Sequence, residues 1–101
     1  MEFEDFMKYK RRLKEIGVSV PDYYFFIDDT NQLTPVQIGK IFGRSPKVVR
    51  DWFSKGLKKQ GRIQSQDPTR RKVSGYELKR WCYKKDIEEL AQDDKFRYFF
   101  D

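Results

Sequence analysis

Two helix starts lie close together in the stretch "LTPVQIGKIFGRSPKVVRDWF", residues 33–53. Thr34-Pro35 and Ser45-Pro46 each place a hydroxyl N-cap before a proline at the first helical position, where the missing N–H costs no hydrogen bond. Gln37 follows Thr34 at capping-box spacing. Gly43 stands between the two starts, where a left-handed residue ends one helix and turns the chain toward the next. The spacing therefore predicts two short helices, at about 34–42 and 46–55, joined by a tight turn. With room for so few residues between them, the two helices must pack on each other.

What surrounds the pair narrows its use. Residues 34–85 hold 15 Lys/Arg against 3 Asp/Glu, whereas residues 1–33 hold 5 against 7 and residues 86–101 hold 2 against 6. The net charge of +6 thus conceals a basic middle with acidic flanks, the pattern of one polyanion-facing surface on an otherwise ordinary body. Aromatics make up 17% of the chain, enough to argue for a folded core despite 38% charged residues.

Phe3, Phe6, Met7, Leu13 and Ile16 recur near helical spacing and predict an amphipathic helix over 2–16, stopped by Gly17. The connector "GVSVPDYYFFIDDTNQ" has turn signals at both ends. Its "YYFFI" reads equally as a short extended segment or a turn of helix. After the capped pair, "RIQSQ" and "RRKVS" flank Asp67-Pro68-Thr69 and predict a polar, projecting two-stranded hairpin. Ser74 with Glu77 forms a second capping box and opens a further helix. Leu78, Trp81, Cys82 and Lys85 share one face of it, while Tyr83, Ile87, Leu90 and Ala91 share another, so two different neighbours are expected.

Several classes of function are disfavoured. The chain has no histidine and one cysteine, Cys82 on an inward helix face, which leaves no internal disulfide and no multi-cysteine zinc site. No phosphate-cradling glycine loop appears, and the carboxylates of 86–94 lie at a solvated helix end. We expect a protein that is not an enzyme and takes no metal or other cofactor. The acidic start "MEFEDF" lacks a signal-peptide pattern, and no apolar run reaches the roughly 20 residues of a membrane span. A cytoplasmic setting is expected, in the bacterial cytosol or nucleoid.

The residue types of the capped pair match the demands of a helix-turn-helix. Counting Pro35 as the first position, the fifth must be small and is Gly39; the ninth carries the turn and is Gly43. The fifteenth and eighteenth must be apolar and are Val49 and Trp52, while Ile38 and Phe42 supply the inward face of the first helix. The residue after the turn glycine is usually apolar; here it is Arg44, which either sends its side chain outward to a phosphate or shifts the turn slightly. The outward face of the second helix then carries Lys47, Val48, Arg50, Asp51, Ser54 and Lys55, with Lys47, Val48 and Arg50 placed to meet base edges. Asp51 is expected to pair with Lys47 or Lys55, each four residues away, with reading of a cytosine amino group as its alternative use.

"LTPVQIGKIFGRSPKVVRDWFSKG" followed by "RRKVSGYELKRW" resembles the winged helix-turn-helix of the MerR and excisionase superfamily, over about residues 33–83. Its marks are Ser45-Pro46, Val49, Trp52 and the Ser74, Leu78, Trp81 opening of the last helix. The resemblance implies a mainly α fold with a small two-stranded β wing, here with extra helical and aromatic N- and C-terminal flanks. A single domain follows: an N-terminal helix and connector (1–32), a winged core (33–85) and an acidic, aromatic extension (86–101). It also implies that the second helix enters the DNA major groove and that the wing meets the adjacent backbone or minor groove. Carried onto this chain, the helix contacts are Arg44, Ser45, Lys47, Val48, Arg50, Ser54 and Lys55, and the wing contacts are Arg62, Arg70, Arg71 and Lys72. The wing is longer than the family's usual one, and Asp51 stands where Arg or Tyr is frequent.

These eight cations and their neighbours would neutralise roughly 5–8 phosphates, giving steeply salt-dependent binding. One such module buries only about 600–1,000 Å² on DNA, so a homodimer or cooperative assembly is expected. Eleven of the 17 aromatics lie in the flanks; they either thicken the core or offer a self-association surface. They are not interleaved with the cations as a single-strand stacking platform requires, so double-stranded DNA is the expected partner. The members of the family include transcription regulators, recombination directionality factors, chromosome-anchoring proteins and phage small terminase subunits. An assembly or adaptor protein that uses its aromatic flanks for protein partners is the alternative reading.

Overall fold

The computed structural model describes residues 1–65 and 71–100. The described chain is mainly helical with one small antiparallel sheet. Helix α1 (Phe3–Glu15) is followed by one helical turn, α2 (Tyr23–Phe26), and a short strand, β1 (Gln32–Leu33). The capped pair is α3 (Pro35–Phe42) and α4 (Pro46–Ser54). A second strand, β2 (Val73–Ser74), leads into the long helix α5 (Gly75–Leu90), and α6 (Asp94–Phe100) closes the chain.

Local chemistry explains where each helix begins and ends. Thr34 accepts from the Gln37 N–H while the Gln37 side chain accepts from the Thr34 N–H at 2.9 Å, a complete capping box. Ser45 accepts from the Val48 N–H at 3.3 Å. At Ser74 only the hydroxyl half of the expected box forms, accepting from the Glu77 N–H at 3.1 Å; the Glu77 carboxylate lies 4.0 Å from Arg80 instead. Helix α1 ends in a Schellman motif, with Gly17 at φ 96° and the Val18 N–H donating to the Leu13 carbonyl at 3.0 Å. The turn after α3 repeats it: Gly43 has φ 66°, and the Arg44 N–H donates to the Gly39 carbonyl at 2.8 Å.

The sheet differs from the expected hairpin. Strand β2 pairs with β1, Leu33 opposite Val73 and Gln32 opposite Ser74; both Leu33 and Val73 are buried. Each strand runs straight into a helix cap, so the pairing sets the starts of α3 and α5 side by side. The arm 62–65 forms no strand, although the Ser65 hydroxyl donates to the Lys72 carbonyl at 2.8 Å and ties the two arms together. The expected turn at Asp67-Pro68-Thr69 lies outside the described residues.

The core is a run of aromatic rings that crosses the molecule. Phe3 and Phe6 of α1 lie 5.5 and 4.8 Å from the Tyr83 ring of α5, and Phe6 lies 4.9 Å from Tyr24. Tyr24 stacks on Tyr23 at 4.7 Å, Tyr23 meets Phe42 of α3 at 5.3 Å, and Phe42 meets Trp52 of α4 at 6.0 Å. Trp52 then faces Trp81 of α5 at 5.4 Å. The expected two neighbours of α5 are therefore the capped pair, through Trp81, and α1, through Tyr83. Of the flank aromatics, Tyr9, Phe26 and Tyr98 are exposed; the others are buried or half-buried. "YYFFI" is resolved as a helical turn, with Tyr24 fully buried.

Polar groups pin these elements. Asp86 accepts from the phenols of both Tyr23 and Tyr24, the latter at 2.6 Å. Burial, reinforced by these hydrogen bonds, pushes both phenols above the ordinary tyrosine range. Lys79, 2% exposed, reaches Asp29 at 2.7 Å. The loop around Asp29 also accepts the first N–H groups of α5, Gly75 to the Asn31 carbonyl and Tyr76 to the Asp29 carbonyl. A Cβ on Gly75 would lie 1.9 Å from the Asp28 carbonyl oxygen, so this docking requires glycine.

Candidate nucleic-acid interface

Helix α4 is held by what it buries. Val49 and Phe53 are buried and Trp52 half-buried, which turns the opposite side outward. Lys47, Val48, Arg50, Ser54 and Lys55 are all exposed, as are Arg44 and Ser45 in the turn before it. Two of the polar groups are already engaged locally. The Ser45 hydroxyl oxygen serves the cap, and the Ser54 hydroxyl donates back to the Arg50 carbonyl at 3.2 Å.

Gly39 is small because the turn passes directly over it. A Cβ there would lie 2.4 Å from the Arg44 carbonyl oxygen. The turn's own backbone, rather than a side chain of α4, occupies that space.

The arm residues gather beside the far end of α4. Arg62 and Arg71 are exposed and line a shallow cleft of about 270 Å³ together with Phe53, Ser54 and Ile63. Ile63 is buried, and its N–H donates to the Trp52 carbonyl at 3.0 Å, which anchors this arm to α4. Arg71 holds a left-handed backbone, φ 49°, a conformation that side-chain-bearing residues adopt at some cost. Lys72 is half-buried. Arg70 lies outside the described residues.

The loop between α4 and this arm is clamped to α5. The Trp81 indole N–H donates to the Gly61 carbonyl at 3.0 Å, and the buried Gln60 amide donates to the Trp81 carbonyl at 3.1 Å. Gly56 has φ 77°, and a Cβ on it would lie 2.4 Å from the Gly61 backbone. One indole thus fixes where the arm leaves α4.

Cations gather on this face without a carboxylate partner: Arg44, Lys47, Arg50, Lys55, Arg62, Arg71 and Lys72 make no ion pair among the described residues. Elsewhere Arg12, Lys14, Lys59, Lys79, Arg80 and Arg97 are each tied to a carboxylate, whereas Lys8, Lys10, Arg11, Lys40, Lys58, Lys84, Lys85 and Lys95 make no ion pair among the described residues. It is the clustering of cations, rather than their lack of partners, that marks this face. The expected pairing of Asp51 with Lys47 or Lys55 does not form among the described residues. A bond between exposed, long side chains gains only a few tenths of a kcal/mol, too little to hold those lysines in place.

Sequence reasoning missed the Lys79–Asp29 pair, the Asp86 diphenol site and the Gln60 clamp. Each joins residues at least 20 positions apart, and no local pattern signals them. Among the described residues no helix is long and apolar enough to cross a membrane, and no group of three or more His, Cys, Asp or Glu residues is arranged to hold a metal ion. The chain shows no significant match to any protein-family model, curated protein or solved structure compared with it.

Proposed function

We propose that this chain is a sequence-specific double-stranded DNA-binding protein built on a winged helix-turn-helix of the MerR and excisionase type. In this reading it is a binding protein rather than an enzyme. It acts in the bacterial cytosol or nucleoid as a transcription regulator or recombination directionality factor of a bacterium, phage or mobile element. Helix α4 enters the major groove, with Lys47, Val48 and Arg50 toward base edges. Arg44 and Lys55, with Arg62, Arg71 and Lys72 of the two arms, lie along the phosphates. The observation that carries the reading is the set of seven cations on α4, its leading turn and the two arms, none neutralised by an ion pair among the described residues. A mobility-shift titration across salt concentrations tests it. Strong binding that falls with a log–log slope of about −5 to −7 supports it; no retardation of any duplex at low salt contradicts it.

A second reading draws on one observation. Tyr98 on α6 is 79% exposed within an acidic, aromatic extension, and a large exposed ring of this kind is a common partner anchor. In that reading the chain is an assembly or adaptor protein, of a phage-packaging or chromosome-architecture type. Homodimers or cooperative arrays on DNA would use the same surface.

A further inference from the structure

On the side of α4 opposite the arm cleft lies a second, deeper groove of about 390 Å³, within the size range of small-molecule sites. Its walls are Tyr23, Phe42, Val48, Trp52, Leu57 and Trp81. Two of these aliphatic side chains are open to solvent, Val48 at 39% and Leu57 at 40% exposure. Three charges border it: Arg44, Lys85 and Asp86. Asp86 already accepts from two phenols, whereas Arg44 and Lys85 have no ion-pair partner among the described residues. The result is a groove walled by four aromatic rings with two free cations at its edge.

We infer that this groove binds a small planar aromatic anion, its ring system against Trp52 and Trp81 and its acidic group toward Arg44 and Lys85. Aromatic stacking at 4.5–7 Å between centroids rewards a flat ligand, and the surplus of positive charge at the rim favours an anionic one. Resting on the DNA-binding reading above, the site has a regulatory consequence. Arg44 and Val48 belong both to the groove and to the proposed DNA face. An anion held by Arg44 removes that side chain from its phosphate, so a saturated groove lowers the salt slope of duplex binding by about one.

The chain's two tryptophans both line the groove, so intrinsic fluorescence reports occupancy directly. The test titrates the full chain with 8-anilinonaphthalene-1-sulfonate and, separately, with its uncharged parent N-phenyl-1-naphthylamine. The anion should quench tryptophan emission with an affinity about fivefold tighter than the uncharged dye, as one or two rim charges supply. Leu57→Glu, which replaces an exposed apolar wall by a like charge, should weaken the anion about tenfold. Lys85→Ala should weaken it about threefold and decides the matter should Leu57→Glu lose its native circular dichroism. Equal affinity for the two dyes overturns the assignment, as does an anion affinity unmoved by these substitutions in folded protein. The dye titration needs no DNA, so it stands or falls separately from the DNA-binding reading. With duplex binding established, a salt slope unchanged by saturating anion removes the regulatory consequence.

Discussion

Gly39 and Arg44 touch through backbone space alone: a Cβ on Gly39 would lie 2.4 Å from the Arg44 carbonyl oxygen. The turn that aims α4 depends on this contact, because the same segment holds the Arg44 N–H on the Gly39 carbonyl. Gly39→Ala should therefore destabilise the chain by about 1–3 kcal/mol, overpacking outweighing the better helix propensity of alanine. Gly43→Ala has open space around its Cβ and suffers only its left-handed backbone, about 1 kcal/mol. Urea unfolding of the two variants should rank Gly39→Ala as the more damaging; the reverse order would mean that the turn is not crowded as described.

Asp86 accepts from the Tyr24 phenol at 2.6 Å and from the Tyr23 phenol beside it. Tyr24→Phe removes one hydrogen bond and should lower stability by about 1 kcal/mol. Asp86→Ala leaves the Tyr23 and Tyr24 phenols without their acceptor and should lower it by about 2–3 kcal/mol. Thermal unfolding of both variants checks the order. Equal losses would mean that the carboxylate acts on one ring only.

The buried phenols also set an alkaline limit. Burial raises the pKa of Tyr23, Tyr24 and Tyr83, with the Asp86 hydrogen bonds adding to it for the first two. The native state therefore keeps protons that the unfolded chain releases near pH 10, the ordinary tyrosine value being about 10. Burial also raises the Cys82 thiol, whose ordinary value is about 8.5. Stability is therefore full below about pH 8.5, falls gently above it and falls more steeply as pH rises through the tyrosine value. Lys10, whose ammonium is lowered chiefly by burial and next by Lys79, works in the opposite sense but is one half-buried group against three phenols. Equilibrium unfolding from roughly pH 7 to 11 should show a shallow decline beginning near the ordinary cysteine value of about 8.5, steepening near the tyrosine value of about 10. A flat profile would contradict the buried, protonated phenols.

Which parts of this fold were readable follows from how far apart the determinants lie. The α3–α4 pair was legible because its caps, its turn glycine and its inward residues all act within one turn of helix. The start of α5 was legible for the same reason at Ser74. The strand pairing was not: "RRKVS" carries a strand signal, but nothing in it identifies Gln32–Leu33, about 40 residues earlier, as the partner rather than the nearer "RIQSQ". The burial of Lys79 carries no local signal, because the carboxylate that allows it lies 50 positions away. At the candidate site, the exposure of Lys47 and Arg50 followed from helical phase. The failure of Asp51 to pair did not, since spacing permits such a bond without compelling it.

The most direct test of the proposed DNA interface compares Arg50→Ala with Arg71→Ala on a selected duplex site and on random duplex, each across salt. Arg50→Ala should weaken the selected site by about 1–3 kcal/mol more than random duplex, since Arg50 is placed at base edges. Arg71→Ala should weaken both alike and reduce the salt slope by about one, as a phosphate contact does. Site preference untouched by Arg50→Ala, in a variant that still binds, would contradict α4 as the reading helix.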